Sequence, residues 1–235
     1  MTRQNKSNSS RADLQIISSL VNNESKILDI GCGEGDLLEI LTKQNKCDAR
    51  GVEISHHAVS RALMKGLSVI QGDAEDCLGC YPDNEFDYAI MSHTIQATRR
   101  PDKMLQQMLR ISDKVIVSLP NFANFRNRFH LFFKGTMPVN ESIPYQWYET
   151  PNIHFCSIRD FKNLCDDLGF KVLEQVFLLE NRIISNSFAV NLVADYAIFL
   201  IEKDNTAQAA KPQKVTESNE SQEVKDVNFQ PAFKQ

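Results

Sequence analysis

No run of about eighteen apolar residues exists to cross a bilayer; the best candidate, Phe188 to Ile201, is broken by Asn191 and Asp195. Met1 to Ser10 lacks the apolar core of a secretion signal, so a soluble, cytoplasmic chain with no membrane partner is expected. Positive charge is not in excess: 26 Lys and Arg face 30 Asp and Glu, a formal net charge of -4. That excludes a dominantly electrostatic nucleic-acid binder, and no nucleic-acid partner is expected. The six cysteines form no disulfide framework and suit reduced thiols. The Cys77-Leu78-Gly79-Cys80 spacing has neither a second pair, as zinc would need, nor a place after the first strand, as a redox motif would. No metal is expected, and no internal repeat is visible.

What remains is 235 residues, ample for a buried core. Arg11 to Asn22 carries Leu14, Ile17 and Val21 at helical spacing. Short apolar runs at 26–30, 49–53, 68–71, 86–91 and 114–118 read as buried strands, with helices after most of them. Ser157 and Asp160 outline a capping box before Phe161, Leu164 and Leu168, and Gly169 suits the helix end. Lys171 to Leu179 and Leu192 to Ile201 then read as closing strands paired antiparallel. The alternation predicts an α/β, Rossmann-like, doubly wound and mostly parallel sheet of about seven strands, ending in an antiparallel hairpin.

The expected organisation is a flexible stretch at 1–10, a domain at 11–203 and a disordered tail at 204–235. The tail is rich in Gln, Lys, Glu, Asn and Ser and cannot offset its ordering entropy by burial. Within the domain, 120–156 reads as an irregular insert. It holds nine of the twenty aromatic residues, Tyr145, Trp147 and Tyr148 among them.

The sharpest local signal is Asp29-Ile30-Gly31-Cys32-Gly33-Glu34-Gly35-Asp36, where a strand must turn into a helix. Glycines let the backbone take unusual torsions and approach a ligand. The spacing is GxGxG, not a dinucleotide fingerprint, and Glu34 and Asp36 would oppose a pyrophosphate. Glu53 ends the second strand, where an acid can accept from both hydroxyls of a ribose. Asp73 and Ala74 follow the third strand, placed to recognise an adenine edge through a carboxylate and an amide. Strand four delivers Ser92 and His93 to the edge where open α/β sheets bind ligands. Alone, each has a structural explanation: a tight turn, a solvated strand end, a helix cap.

In this order, the pieces resemble class I S-adenosylmethionine-dependent methyltransferases. The resemblance implies that Gly31, Gly33 and Gly35 pass under the methionine moiety with Asp29 orienting the loop. Glu53 would bind the ribose and Asp73 the adenine amino group. Asn84 to Asp102, Ser118-Leu119-Pro120-Asn121-Phe122 and the stretch from Met137 to His154, with Pro144-Tyr145-Gln146-Trp147-Tyr148-Glu149-Thr150-Pro151, resemble the methionine-biosynthesis MetW family more narrowly. The likeness covers roughly 25–179, and His93 stands where that family often carries Gln. It implies S-adenosylmethionine as cofactor and a role beside homoserine O-acyltransferase, the enzyme that activates homoserine. The chain has no G-x-S-x-G nucleophile elbow, so it is expected to support that acyltransferase rather than be it. The alternative is a small-molecule methyltransferase with the insert as lid over the acceptor.

If an acceptor must lose a proton, His93 and His154 are the candidate bases; a hydrogen-bonded structural histidine is the competing reading of each. No N/D-P-P-Y/F motif follows strand four, which argues against amino methylation of nucleic acid. The insert reads equally as a lid, as a docking surface around Tyr145, Trp147 and Tyr148, or as local core.

Overall fold

The structure, a computed structural model, describes residues 12–140, 142–185 and 188–204. The expected flexible stretch at 1–10 lies outside them, as does the expected disordered tail beyond Asp204.

Helix α1 (Ala12–Ser19) leads into β1 (Lys26–Ile30), α2 (Asp36–Lys43), β2 (Asp48–Glu53), α3 (His56–Met64) and β3 (Ser68–Gln71). The short α4 (Ala74–Cys77) precedes β4 (Phe86–Ser92), α5 (Pro101–Ile111) and β5 (Ser112–Pro120). Helices α6 (Phe125–Lys134) and α7 (Ile158–Leu168) follow, then β6 (Phe170–Leu179), β7 (Arg182–Ile184), α8 (Val190–Val193) and β8 (Tyr196–Lys203). The sheet has 8 strands in the order β3-β2-β1-β4-β5-β8-β6-β7. The pairs among β1 to β5 are parallel, and β8 runs antiparallel between β5 and β6.

Apolar strand residues alternate between two cores, one on each face, as the strand period of two requires. Leu28, Ala89, Met91, Val115 and Val117 pack with α5 and α7 residues such as Leu105 and Phe161. Ile27, Ile90, Ile116 and Ile198 pack with Leu14 and Ile17 of α1 and Leu38 and Leu41 of α2. Burial on both faces explains why the central strands read as unbroken apolar runs.

The mostly parallel sheet of about seven strands is borne out, with 8 strands among the described residues; Glu180 and Asn181 both take positive φ (49° and 62°) and turn β6 back into the edge strand β7. Two expectations are corrected. The closing strand starts at Tyr196, since Leu192 and Val193 belong to helix α8. The insert is not wholly irregular, since it contains α6, capped by the Asn124 side chain on the Arg126 amide at 2.8 Å. The capping box of α7 is present, with both reciprocal bonds between Ser157 and Asp160, and Gly169 closes the helix at φ 69°.

The strand order sets the site. The chain winds outward from β1 to β3, then crosses to β4 and β5 on the other side of β1. The C-terminal ends of β1 and β4 flank this switch point, where open α/β sheets leave a crevice.

Candidate functional site

The glycine loop leaves β1 at the switch point. Gly31, Gly33 and Gly35 all have positive φ (72°, 56° and 81°). A Cβ on Gly31 would lie 2.6 Å from Thr94 Cγ2 and Oγ1, and one on Gly35 would lie 2.4 Å from Leu67 Cδ1. A Cβ on Gly33 would meet nothing within 4 Å. The two flanking glycines, Gly31 and Gly35, therefore serve close packing, and Gly33 between them lies on the open side. Asp29, two residues before Gly31 on β1, is 2% exposed.

Glu53 fastens the loop to β2. Its Oε2 accepts the Gly33 amide at 2.9 Å and its Oε1 accepts the Ser55 amide at 2.8 Å. Each carboxylate oxygen has a further lone pair, so the group can tie the loop and still receive ligand hydroxyls. Gly51 on β2 admits the packing of Cys32, whose Sγ would lie 2.5 Å from an added Cβ. The buried Cys32 thiol is pushed far above its ordinary range, first by desolvation and then by Asp29 and Glu53. It stays protonated and is no nucleophile.

Asp73 caps α4 by accepting the Glu75 amide at 3.0 Å, and its other oxygen receives Arg99 at 3.2 Å. Arg99 also meets Glu75 at 2.6 Å. The Gly72 amide donates to the Glu53 carbonyl at 3.0 Å, which joins the ends of β2 and β3 and brings Ala74 beside them. Glu34 and Asp36 are not bare charges at the loop, because Arg61 of α3 and Lys65, just past its end, meet them at 3.0 and 2.7 Å. Arg99, which the sequence offers with Arg100 either as a clamp for an acidic group or as a solvated helix-entry pair, is thus held by acids of this chain. Sequence reasoning missed Ile54, which follows Glu53 and is 66% exposed, an apolar face where a flat base can lie.

Beyond β4, the Ser92 hydroxyl lies 3.2 Å from that of Ser118. The His93 amide donates to the Ser118 hydroxyl and carbonyl at 3.1 and 3.0 Å, holding His93 at φ 53°. The His93 Nε2 is 3.1 Å from Asp13 Oδ2 of α1, and the ring stands edge-on to Tyr196 at 4.9 Å. His93 lines a cavity of about 420 Å³ together with Asp13, Gln96, Tyr145, Asn152 and Tyr196. His154 is not brought to it. Its amide donates to the Gln96 carbonyl at 2.9 Å, and its ring borders a separate space of about 10 Å³. No signal local to α1 marked Asp13, which is 80 residues from His93 in sequence.

The insert divides its aromatics. Pro144, Tyr145 and Pro151 line the larger cavity, and Phe122 packs on Phe155 at 4.7 Å. Trp147, Tyr148, Phe129, Phe132 and Phe133 face solvent. Among the described residues, no group of three or more His, Cys, Asp or Glu is placed to hold a metal, and no helix is long and apolar enough to cross a membrane.

A doubly wound sheet closed by an antiparallel strand, with a glycine loop and a strand-end acid at its switch point, is the architecture of class I methyltransferases. A structure from Thermotoga maritima described as a SAM-dependent methyltransferase, possible histamine N-methyltransferase, superposes with a TM-score of 0.58. It shares 23% identity, over 83% of this chain and 89% of that one. A SAM-dependent methyltransferase from Archaeoglobus fulgidus gives 0.59 at 19% identity, over 82% and 92%. The model of the family described as "Methionine biosynthesis protein MetW" matches residues 11–201, and the chain belongs to that family. The bifunctional methionine biosynthesis protein MetXA/MetW of Rhodopirellula baltica is 30% identical over 204 residues, 82% of this chain and 33% of that protein. The chain thus spans about a third of that relative's length.

Proposed function

We propose that the chain acts in methionine biosynthesis beside homoserine O-acyltransferase, supporting or activating it, and binds S-adenosylmethionine at the glycine loop. The observation that carries the partnership is the relative in which a MetW segment is joined to a MetXA segment in one bifunctional chain. Fused segments act at high effective concentration, which separate chains must replace by a binding surface. The exposed Phe129, Phe132, Phe133, Trp147 and Tyr148 supply such a surface, rich in the aromatics that dominate interface energetics.

The residues fit the ligand. Gly33 leaves open space where a Cβ would stand, Glu53 is tied to the loop with acceptor capacity to spare, and Ile54 offers an apolar face beside it. Asp29 underlies the loop, Asp73 and Ala74 would face the adenine, and Ser92 lies across the crevice. Bound there, S-adenosylmethionine would supply a sulfonium methyl group, or report the level of a product downstream of methionine. Calorimetry with S-adenosylmethionine tests this site. Saturable heat that weakens about tenfold or more in Glu53→Ala is expected, and no heat in the native chain would remove the claim.

A second reading, a small-molecule methyltransferase with the insert as lid, is favoured by one observation: Pro144, Tyr145 and Pro151 line the cavity that holds His93. There His93 would be the base, and His154 would act only after the insert moves.

A further inference from the structure

Helix α6 is amphipathic in the reverse sense for a domain surface. Its inner side is polar: Asn127 is 1% exposed and donates to the Phe122 carbonyl at 3.1 Å. Its solvent side is aromatic, with Phe129, Phe132 and Phe133 all exposed. Together with the half-buried Phe125 they stand at i, i+4, i+7 and i+8, which share one face of a helix. The rings brace one another. Phe125 meets Phe129 edge-on at 6.4 Å, Phe129 stacks on Phe133 at 5.8 Å with planes 6° apart, and Phe132 abuts Phe133 edge-on at 5.0 Å.

A row of apolar anchors at this spacing is the pattern of a helix that lies in a partner's groove. The 10 residues of α6 span about 15 Å, a groove of ordinary helix size. Trp147 and Tyr148 offer no such row, for they sit in a turn and meet each other edge-on at 5.6 Å. The helix is also fixed before any partner arrives, since Asn124 binds the Val193 carbonyl at 2.8 Å and Arg126 binds Glu180 at 2.6 Å. Docking therefore orders little that is not already ordered.

Charge indicates the rim of that groove. Residues 121–140 carry Arg126, Arg128 and Lys134 and no Asp or Glu, in a chain whose net charge is -4. Arg128 and Lys134 are exposed and meet no carboxylate among the described residues. A two-fold contact between copies through this face would set cations against cations. An anionic bilayer gains little from two cations on one short, fixed helix, because stable anchoring takes a second signal.

We infer that α6 is the docking helix, seating Phe129, Phe132 and Phe133 in an apolar groove of the acyltransferase whose rim presents carboxylates to Arg128 and Lys134. The inference rests on the partnership proposed above and names the element and the partner surface that realise it. Trp147 and Tyr148 lie outside the central contact.

The test uses the full chain and purified homoserine O-acyltransferase, with hydrogen exchange read on the native complex and affinity by calorimetry. Protection gained at 125–134 on complex formation, and more there than at 145–148, is expected. The double variant Phe129→Ser, Phe133→Ser weakens the complex about tenfold or more, as loss of a central anchor does, and Trp147→Ala weakens it less than about threefold. Lys134→Glu slows association about threefold or more at low salt, a difference that closes as salt is raised. Unchanged affinity in the double variant, protection confined to 145–148, or faster association in Lys134→Glu would each overturn the inference and leave the partnership standing. So would self-association of the native chain, or its binding to phosphatidylglycerol vesicles, that the double variant abolishes. The native exchange map decides even where a variant does not fold. A native chain that binds no acyltransferase at all would fault the partnership itself, and this inference with it.

Discussion

Single atoms decide much of the crevice. Gly31 cannot carry a side chain, because its φ of 72° strains any L residue and an added Cβ would sit 2.6 Å from Thr94. Gly31→Ala is expected to cost about 1–3 kcal/mol and to displace the loop; a denaturant midpoint equal to that of the native chain would contradict this. The buried thiols give a second prediction. Burial, with Asp160 nearby, raises the Cys156 thiol from 9.0 to about 11, and burial with Asp166 nearby raises Cys165 to about 12. The unfolded chain ionises these thiols first, so their contribution is complete below the ordinary value and is lost as pH rises through the folded values. Denaturant midpoints measured across that window should fall with rising pH, and less so in Cys165→Ala. Residue identities were the most legible layer of the sequence: Gly33 and Glu53 were both marked, and the structure joins them directly. Asp13 was not, because a contact between α1 and the end of β4 exists only once the chain is folded.

Elements were legible where their signal is local. The Ser157 and Asp160 capping box and the terminating Gly169 need only neighbouring residues to be seen. Helix α6 was hidden because its pattern points the wrong way: it buries Asn127 and turns Phe132 and Phe133 to solvent, 80% and 73% exposed. What anchors it is a set of buried carboxamides. Asn124 donates to the Val193 carbonyl at 2.8 Å and to Asp195 Oδ1 at 3.1 Å, and Asn121 donates to the Ala194 carbonyl at 2.9 Å. Asn124→Ala removes the α6 cap and takes the side-chain donor from the Val193 carbonyl, so a loss of about 1–3 kcal/mol is expected in chemical denaturation. Phe132→Ser separates packing from docking. An exposed substitution of this kind should shift stability by less than about 0.5 kcal/mol and yet weaken co-elution with the acyltransferase. A large drop in the melting temperature would instead make that face part of the core.

For the whole molecule, the mostly parallel doubly wound sheet and the ligand-binding edge followed from the alternation of elements, while the strand order is seen only in the folded chain and the last edge strand depends on a tight turn at Glu180 and Asn181. Function is the layer least fixed by architecture, since one fold hosts many chemistries. Membership of the MetW family supports the proposed place in methionine biosynthesis, and the two surfaces of the insert divide the remaining question. Its inner residues line the cavity, and its outer aromatics are free to meet another protein. The most direct measurement is the rate of homoserine acyl transfer by the separate acyltransferase, titrated with this chain and with its Phe132→Ser variant. A rate that rises and saturates with the native chain, and needs more of the variant to do so, is the predicted result. A rate that stays flat with the native chain would contradict the account.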